Sequence, residues 1–253
     1  VQTRLALERI AATLRAADLG PQHIVSTTIY LSDIRFLPRF DAVYQQLFSA
    51  GFPARTVLEA PLMSPDALVE VSAIAAKDIS SRQYVLPTGW PRPREPFSYA
   101  VLAGDTLFLS GIQPVDPGTG ALAVPSIESH TERVLTTQEE LLKAVGMSFG
   151  DLVFTRIYLA DPATYSGLNE VYRRFVTAVP PARATVNASP TVPGAMLQIQ
   201  SVAVKGSGRD RPSGEGHTSP IHSFSVRAGS RLLITGMTGR APDGRFAVND
   251  IAA

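Results

Sequence analysis

Apolar positions along this chain follow a helical spacing in some segments and a strand-like spacing in others. In residues 2–18 the apolar side chains recur every three or four positions, which predicts an amphipathic helix that ends at Gly20-Pro21. Residues 24–31 are a run of β-branched and apolar side chains, which predicts a strand buried on both faces. A second helix and two more strands are predicted at 37–50, 55–59 and 68–76.

The same series of elements occurs a second time, with an offset of 128 residues. The tripeptide Pro-Ala-Arg ends at Arg55 and again at Arg183, and Ile-Tyr-Leu ends at Leu31 and again at Leu159. Such an internal repeat indicates two domains of one fold. Each domain is predicted to be α+β, a mixed sheet with two helices packed on one face. The elements of the second copy are predicted at 98–103, 106–112, 131–145, 152–159, 166–178, 183–188 and 196–204.

The hairpin that precedes the second copy has no counterpart before the first copy. Its match lies at the other end of the chain, where residues 222–236 resemble residues 97–111. We therefore predict a circularly permuted first domain made of residues 1–79 plus 217–253, in which the hairpin covers an otherwise exposed sheet edge. The alternative to a permuted domain is that the chain is a stretch of a longer array of repeats.

The remaining residues divide into a second domain and two linkers. The second domain is predicted at 96–206. Residues 80–95 are rich in proline and are predicted to form a stiff linker, whereas residues 207–216 are rich in glycine, serine and charge and are predicted to be flexible.

Composition excludes several classes of function. A net charge of +1 over 253 residues argues against nucleic acid as the main partner, because phosphate binding calls for a basic surface. The absence of cysteine excludes disulfides, thiolate nucleophiles and cysteine-based zinc sites. The histidines show no metal-ligand spacing, so we predict neither a metal nor a cofactor. No apolar run approaches the roughly 20 residues that cross a bilayer, so we expect no membrane contact and a cytoplasmic location.

Several segments resemble one known family. Residues 53–57 and 68–75 resemble the signature of the RidA family, also called the YjgF or L-PSP endoribonuclease family, and residues 99–111 and 168–172 are similar to its other landmarks. The resemblance covers nearly the whole chain except the two linkers. It implies two chorismate-mutase-like (RidA-like) domains. It also implies a homo-oligomer, a trimer of two-domain chains, with sites in the clefts between neighbouring subunits.

The resemblance also implies an activity, the cofactor-free hydrolysis of reactive enamines and imines such as 2-aminoacrylate to a 2-oxo acid and ammonia. A planar guanidinium grips the carboxylate of such a substrate by two parallel hydrogen bonds. A carboxylate group near the attacking water can orient it and take its proton. By resemblance, Arg55 and Arg183 match the carboxylate-binding arginine, and Glu70 matches the residue that handles the water.

The second copy departs from the family at the acidic position, where Gln198 stands in place of Glu70. An amide orients a water but does not accept its proton at neutral pH, so we predict that the Arg55 pocket is the better catalyst. Two further positions differ between the copies. The polar site residue is Asn169 in the second copy and Asp41 in the first, and the ring beside the site is Phe97 in one hairpin and His222 in the other.

Three functions stay open. The first is hydrolysis of a small imine, enamine or related carboxylate, which the presence of both Arg55 and Glu70 favours. The second is binding of a 2-oxo acid without turnover, and the third is a ribonuclease, against which the lack of a basic stripe counts. An arginine and a glutamate on neighbouring strands also form simple cross-strand ion pairs, so Arg55 and Glu70 alone do not prove a site.

Overall fold

The structure is a computed structural model that describes residues 1–48, 51–177, 180–206 and 219–237. The elements of the first unit are α1 (Gln2–Ala16), β1 (Ile24–Leu31), α2 (Leu37–Tyr44), β2 (Ala54–Glu59) and β3 (Val69–Ala75). Those of the second are β4 (Gln83–Val85), β5 (Ala100–Ala103), β6 (Thr106–Leu109), α3 (Ile127–Lys143), β7 (Leu152–Leu159), α4 (Tyr165–Phe175), β8 (Ala182–Asn187) and β9 (Leu197–Val204). A C-terminal hairpin follows: β10 (Ser225–Ala228) and β11 (Arg231–Ile234).

The first unit is a three-stranded sheet in the order β2–β1–β3, with both helices on one face. Strand β1 lies in the centre, parallel to β2 and antiparallel to β3, and all but one of its residues are buried, as predicted. Its side chains Ile29 and Leu31 pack against Leu7 of α1 and against Phe40 and Tyr44 of α2. The core of the unit therefore lies between β1 and the two helices.

The second unit is a six-stranded sheet in the order β4–β5–β6–β9–β7–β8, which confirms the predicted mixed α+β fold. Its first strand lies in the segment that was predicted to be a linker, so that prediction was wrong for residues 83–85. Strand β4 pairs with β5, and nearby Trp90 packs on Tyr99 and donates a hydrogen bond to Glu140 of α3. These contacts attach the proline-rich segment to the second unit.

Helix α3 contributes several of the buried apolar side chains of the second core. Leu135 of α3 is 1% exposed and belongs to the large apolar cluster of this unit. We expect Leu135→Ala to lower the free energy of unfolding by about 2–5 kcal/mol, because the lost methyl groups leave a cavity. Urea denaturation checks this, with Leu5→Ala as the control, since Leu5 is 48% exposed and its truncation should cost about 0.5 kcal/mol or less. Equal losses in the two variants would contradict the assigned core.

The C-terminal hairpin does not lie where the permuted domain would place it. In the described residues β10 and β11 form a two-stranded sheet of their own, and the hairpin contacts β7 and β8 of the second unit. The first sheet ends at β3 with no strand paired to its outer edge among those described. This differs from the arrangement expected from the sequence and matches that of successive repeats. Sequence similarity identified the hairpin. The two units have the same strand edges, so similarity alone does not show which unit the hairpin joins.

Part of the predicted organisation lies outside the described residues. This applies to the flexible linker at 207–216 and to residues 217–218 and 238–253 of the predicted first domain. It also applies to the last two residues of the helix predicted at 37–50 and to the last residue of the helix predicted at 166–178. Within the described ranges, no helix is long and apolar enough to span a bilayer.

Candidate functional site

The two units meet at a joint built around the main chain of Arg55. The Arg55 N–H donates to Ser110 Oγ at 2.7 Å, and its carbonyl accepts from the N–H of Gly111 at 3.1 Å. The Ser110 hydroxyl in turn donates to the carbonyl of Ser98 at 2.6 Å. The Ser98 N–H donates to the carbonyl of Pro53 at 3.1 Å. The hairpin of the second unit thus clamps the start of β2.

The C-terminal hairpin makes the same joint with the second unit. The Arg183 N–H donates to Thr235 Oγ1 at 2.8 Å, and its carbonyl accepts from the N–H of Gly236 at 3.1 Å. The Thr235 hydroxyl donates to the carbonyl of Ser223 at 2.6 Å. The Ser223 N–H donates to the carbonyl of Pro181 at 2.9 Å. Each arginine is therefore held between its own unit and the hairpin that follows it in the chain.

Each joint brings a glycine close to the residue after the arginine. A Cβ on Gly111 would lie 2.9 Å from Cγ2 of Thr56 and 2.3 Å from Nε2 of Gln198. A Cβ on Gly236 would lie 3.2 Å from Cβ of Ala184. A side chain at Gly111 would therefore force Gln198 and Thr56 to shift, and Gly236 is closely fitted against Ala184.

The Thr235 hydroxyl offers a direct test of the second joint. Thr235→Val keeps the shape of the side chain but leaves the buried N–H of Arg183 without its acceptor. We expect the free energy of unfolding to fall by about 1–3 kcal/mol in chemical denaturation. Thr56→Val is the matched control, because Thr56 Oγ1 is buried without a hydrogen-bond partner among the described residues and its loss should cost nothing. Equal effects of the two substitutions would contradict the joint.

The Arg55 side chain lies in a pocket that already contains a carboxylate. Its Nη1 donates to Oδ1 of Asp41 at 2.5 Å, and the two side chains are 5% and 18% exposed. Aromatic rings cover the guanidinium, with Cζ of Arg55 5.5 Å from the ring centre of Tyr44 and 5.7 Å from that of Phe97. Helix α2 supplies Asp41 and Tyr44, and the second unit supplies Phe97. This pocket is therefore composite and its cation is paired.

The Arg183 pocket has the same construction but no carboxylate. Nη2 of Arg183 donates to Oδ1 of Asn169 at 2.7 Å, and Nε donates to Oγ1 of Thr185 at 3.2 Å. Its Cζ lies 5.4 Å and 5.0 Å from the ring centres of Tyr165 and Tyr172. Arg183 is 4% exposed, and its Nη1 has no hydrogen-bond partner in the part of the chain that the structure describes. Within that part no carboxylate lies within ion-pair distance of it either.

The electrostatics of the Arg183 pocket follow from this buried cation. Burial lowers the pKa of Arg183, and the phenol groups of Tyr165 and Tyr172 offset this only in part. Burial and the positive charge of Arg183 lower the pKa of His222 from its ordinary 6.5, so its imidazole is neutral at pH 7. A buried cation without a partner is costly, and a bound anion would relieve that cost.

The Arg55 pocket has the opposite balance of charge. Burial raises the pKa of the Asp41 carboxyl, the Arg55 guanidinium lowers it, and the negative charge of Glu95 raises it further. The pKa of Asp41 is raised on balance, and the charge of Glu95 adds to the negative charge that the Asp41 carboxylate already brings to Arg55.

The structure does not bring Arg55 and Glu70 together. On β1, Arg55 is opposite Thr27 and Glu70 is opposite Tyr30. Because Thr27 and Tyr30 are an odd number of positions apart, the two side chains project from opposite faces of the sheet. Glu70 is exposed, and its carboxylate makes no hydrogen bond or ion pair with any described residue.

In the second unit, Gln198 occupies the repeat position that Glu70 has in the first, and it is Gln198 that reaches the Arg55 joint. Its Nε2 donates to the carbonyl of Gly111 at 2.8 Å, and its Oε1 is buried without a partner among the described residues. We expected a carboxylate, Glu70, to accept a proton beside Arg55. The structure instead places the amide of Gln198 there.

A separate cavity of about 150 Å³, with a mostly apolar lining, lies between the two sheets. Neither Arg55 nor Arg183 lines it, and its lining joins both units through the hydrogen bond from Gln200 to Thr28 at 3.5 Å. It is a gap between sheets rather than a reactive site.

Sequence reasoning overlooked the rings and hydroxyls that complete the two pockets. The rings Tyr44 and Tyr172 are 128 residues apart, like Arg55 and Arg183, so the main repeat could have identified them as a pair. The hydroxyls Ser110 and Thr235 are 125 residues apart, the same distance that relates the two hairpins. Tyr165 has no ring at the matching position of the first unit.

Comparison with known proteins gives one family and many relatives. The profile of the family described as Endoribonuclease L-PSP matches residues 1–77 and 89–205. A relative from Acinetobacter baylyi, named 3-aminoacrylate deaminase RutC, is 34% identical over 122 residues, which are 48% of this chain and 97% of that protein.

Two eukaryotic relatives also carry deaminase names. Reactive Intermediate Deaminase A, chloroplastic, from Arabidopsis thaliana is 34% identical over 139 residues, 55% of this chain and 72% of that protein. The human 2-iminobutanoate/2-iminopropanoate deaminase is 32% identical over 111 residues, 44% of this chain and 81% of that protein.

Proposed function

Because this chain belongs to the Endoribonuclease L-PSP family, the family that its sequence resembles, we propose that it hydrolyses a small carboxylate-bearing imine or enamine to a 2-oxo acid and ammonia. Three relatives are named for deamination of this kind of compound. The observation that carries the proposal is the buried Arg183 guanidinium, whose Nη1 has no partner among the described residues. We assign the reaction to the pocket around Arg183 rather than to that around Arg55.

Arg183 binds the carboxylate of the substrate. Its free Nη1 can donate to one carboxylate oxygen, while Asn169 and Thr185 fix the guanidinium plane through Nη2 and Nε. Charge-assisted hydrogen bonds of this kind are about twice as strong as neutral ones. The rings of Tyr165 and Tyr172 exclude water from the faces of the guanidinium and strengthen its field.

His222 takes the proton of the attacking water. Of the described side chains around Arg183, the others are hydroxyls and an amide, which do not accept a proton near neutral pH. The lowered pKa of His222 leaves its imidazole neutral, and its Nδ1 lies 3.0 Å from Oγ of Ser219. We assign to the reaction the tautomer in which Nδ1–H donates to that hydroxyl, so that Nε2 is the nitrogen that accepts the proton. Water oxygen then bonds to the imine carbon, and protonated His222 passes the water proton to the nitrogen. The hydroxyl of the resulting tetrahedral intermediate gives up its proton to the nitrogen as the C=O bond forms and the C–N bond breaks, and ammonia and the oxo acid leave.

Binding of a 2-oxo acid without turnover is the second candidate. It is favoured by the placement of Glu70, since the acidic residue that the family resemblance credits with the water is not at either described pocket.

Assembly into a trimer of two-domain chains stays a prediction.

A direct assay separates the two candidates. 2-Iminobutanoate, 2-iminopropanoate and 3-aminoacrylate are generated in the cuvette, and the release of ammonia and oxo acid is followed with and without the protein. We expect acceleration for at least one compound. No acceleration, together with saturable binding of 2-oxobutanoate, would overturn the deaminase and support the binding protein.

A further inference from the structure

One helical position gives the two arginine pockets a different charge. Asp41 of α2 and Asn169 of α4 occupy the same place in the repeat, and each lies one turn before the tyrosine that stacks on its arginine. Both side chains accept a hydrogen bond from their guanidinium, at 2.5 Å in the first pocket and 2.7 Å in the second. The hydrogen bond is thus shared, and the difference at this position is a full negative charge.

That charge decides whether the guanidinium still needs an anion. In the first pocket Asp41 pairs with Arg55, and the charge of Glu95 also acts on the Asp41 carboxyl. In the second, the amide of Asn169 supplies no charge, and Nη1 of Arg183 is left without a partner among the described residues. An incoming carboxylate would therefore meet like charge in the first pocket and an uncompensated cation in the second.

We propose that Asp41 acts as an internal substitute for the carboxylate of a ligand and closes the Arg55 pocket to small carboxylates. Aspartate or asparagine at this helical position then determines which pockets of the chain accept an anion. Within the part of the chain that the structure describes, one of the two arginine pockets is then open, that of Arg183. The ligand class named here rests on the proposed function, but the number of open pockets does not depend on turnover.

The two residues can be exchanged, because each is the natural residue of the other pocket. Asp41→Asn gives the first pocket the amide of the second, and Asn169→Asp gives the second pocket the carboxylate of the first. Both substitutions change charge with almost no change in volume. Thermal unfolding and circular dichroism check that each variant keeps the fold.

Isothermal titration calorimetry with 2-oxobutanoate counts the open pockets. We expect one site per chain in the wild type, two in Asp41→Asn, and affinity at least about tenfold weaker in Asn169→Asp, because a like charge then opposes the ligand. The double variant should again bind one molecule, and adding Arg55→Ala to it should abolish binding. Arg183→Ala should abolish binding in the wild-type background.

Two results would overturn the inference. One is a wild-type chain with two equal sites, and the other is an Asp41→Asn variant that folds and still binds a single molecule. If Asp41→Asn gains its site while no variant releases ammonia from an imine, the pocket assignment stands and the proposed deaminase activity fails. If Asp41→Asn does not fold, Asn169→Asp alone decides, since unchanged affinity in that variant contradicts the proposal.

Discussion

Arg183→Ala is expected to lower kcat/KM for hydrolysis of 2-iminobutanoate by at least about 100-fold. Hydrogen bonds to a charged partner contribute about 1.5–3 kcal/mol each, and the substitution removes the donors that Arg183 offers to the carboxylate. The loss should appear in KM as well as in kcat, because the substrate keeps its carboxylate throughout the reaction. Steady-state kinetics with coupled detection of ammonia measures both constants.

The matched control is the same substitution in the other pocket. Arg55→Ala removes a guanidinium that is already paired with Asp41, so we expect kcat/KM to stay within about threefold of the wild type. Arg183→Lys keeps the charge but loses the planar fork, and it should recover only part of the activity. A large loss in Arg55→Ala with full activity in Arg183→Ala would reverse the assignment and restore the prediction made from the sequence.

His222→Phe is expected to lower kcat by about 100- to 10,000-fold, the usual contribution of general acid–base catalysis. Phenylalanine is the natural control because Phe97 stands at the matching position of the first joint, and a phenyl ring preserves the contact with Phe224, whose ring centre is 5.5 Å away. KM should change little, since Arg183 is untouched. Full kcat in this variant would exclude His222 as the base.

The pH dependence of the wild type gives a second readout of the same group. Because only neutral His222 accepts a proton, kcat/KM should fall as the pH drops through the pKa of His222 in the free protein, which lies below its ordinary 6.5. A bound carboxylate offsets the charge of Arg183 and so raises that pKa. The acid limb of kcat should therefore lie at higher pH than that of kcat/KM. Both limbs should disappear in His222→Phe.

The elements of this fold could be predicted from the sequence because their signals are local. The apolar spacing located β1 and β7 to the residue, and the offset between Arg55 and Arg183 is enough to reveal the repeat. Element ends were less accurate, since α2 ends at Tyr44, where a short turn of tighter helix follows.

The pairings between units could not be predicted in the same way. Similarity identified the hairpin at 222–236, and its absence before the first unit led to the prediction that it joins that unit. Both units carry the same edges, so no local signal distinguished the first unit from the second, which the hairpin contacts. The partnership of Arg55 with Glu70 was inferred from their occurrence in one motif, whereas strand register sends them to opposite faces. Asp41 was recognised as a departure from Asn169, but its pairing with Arg55 depends on the packing of α2 against β2.

Crystals of the protein grown with 2-oxobutanoate test the central claim most directly, because they show which guanidinium binds the carboxylate. We predict the ligand at Arg183, with a carboxylate oxygen at hydrogen-bond distance from Nη1 and the oxo carbon facing His222, and no ligand at Arg55 while Asp41 remains paired. A carboxylate bound at Arg55 with Asp41 displaced, and an empty Arg183 pocket, would contradict the account.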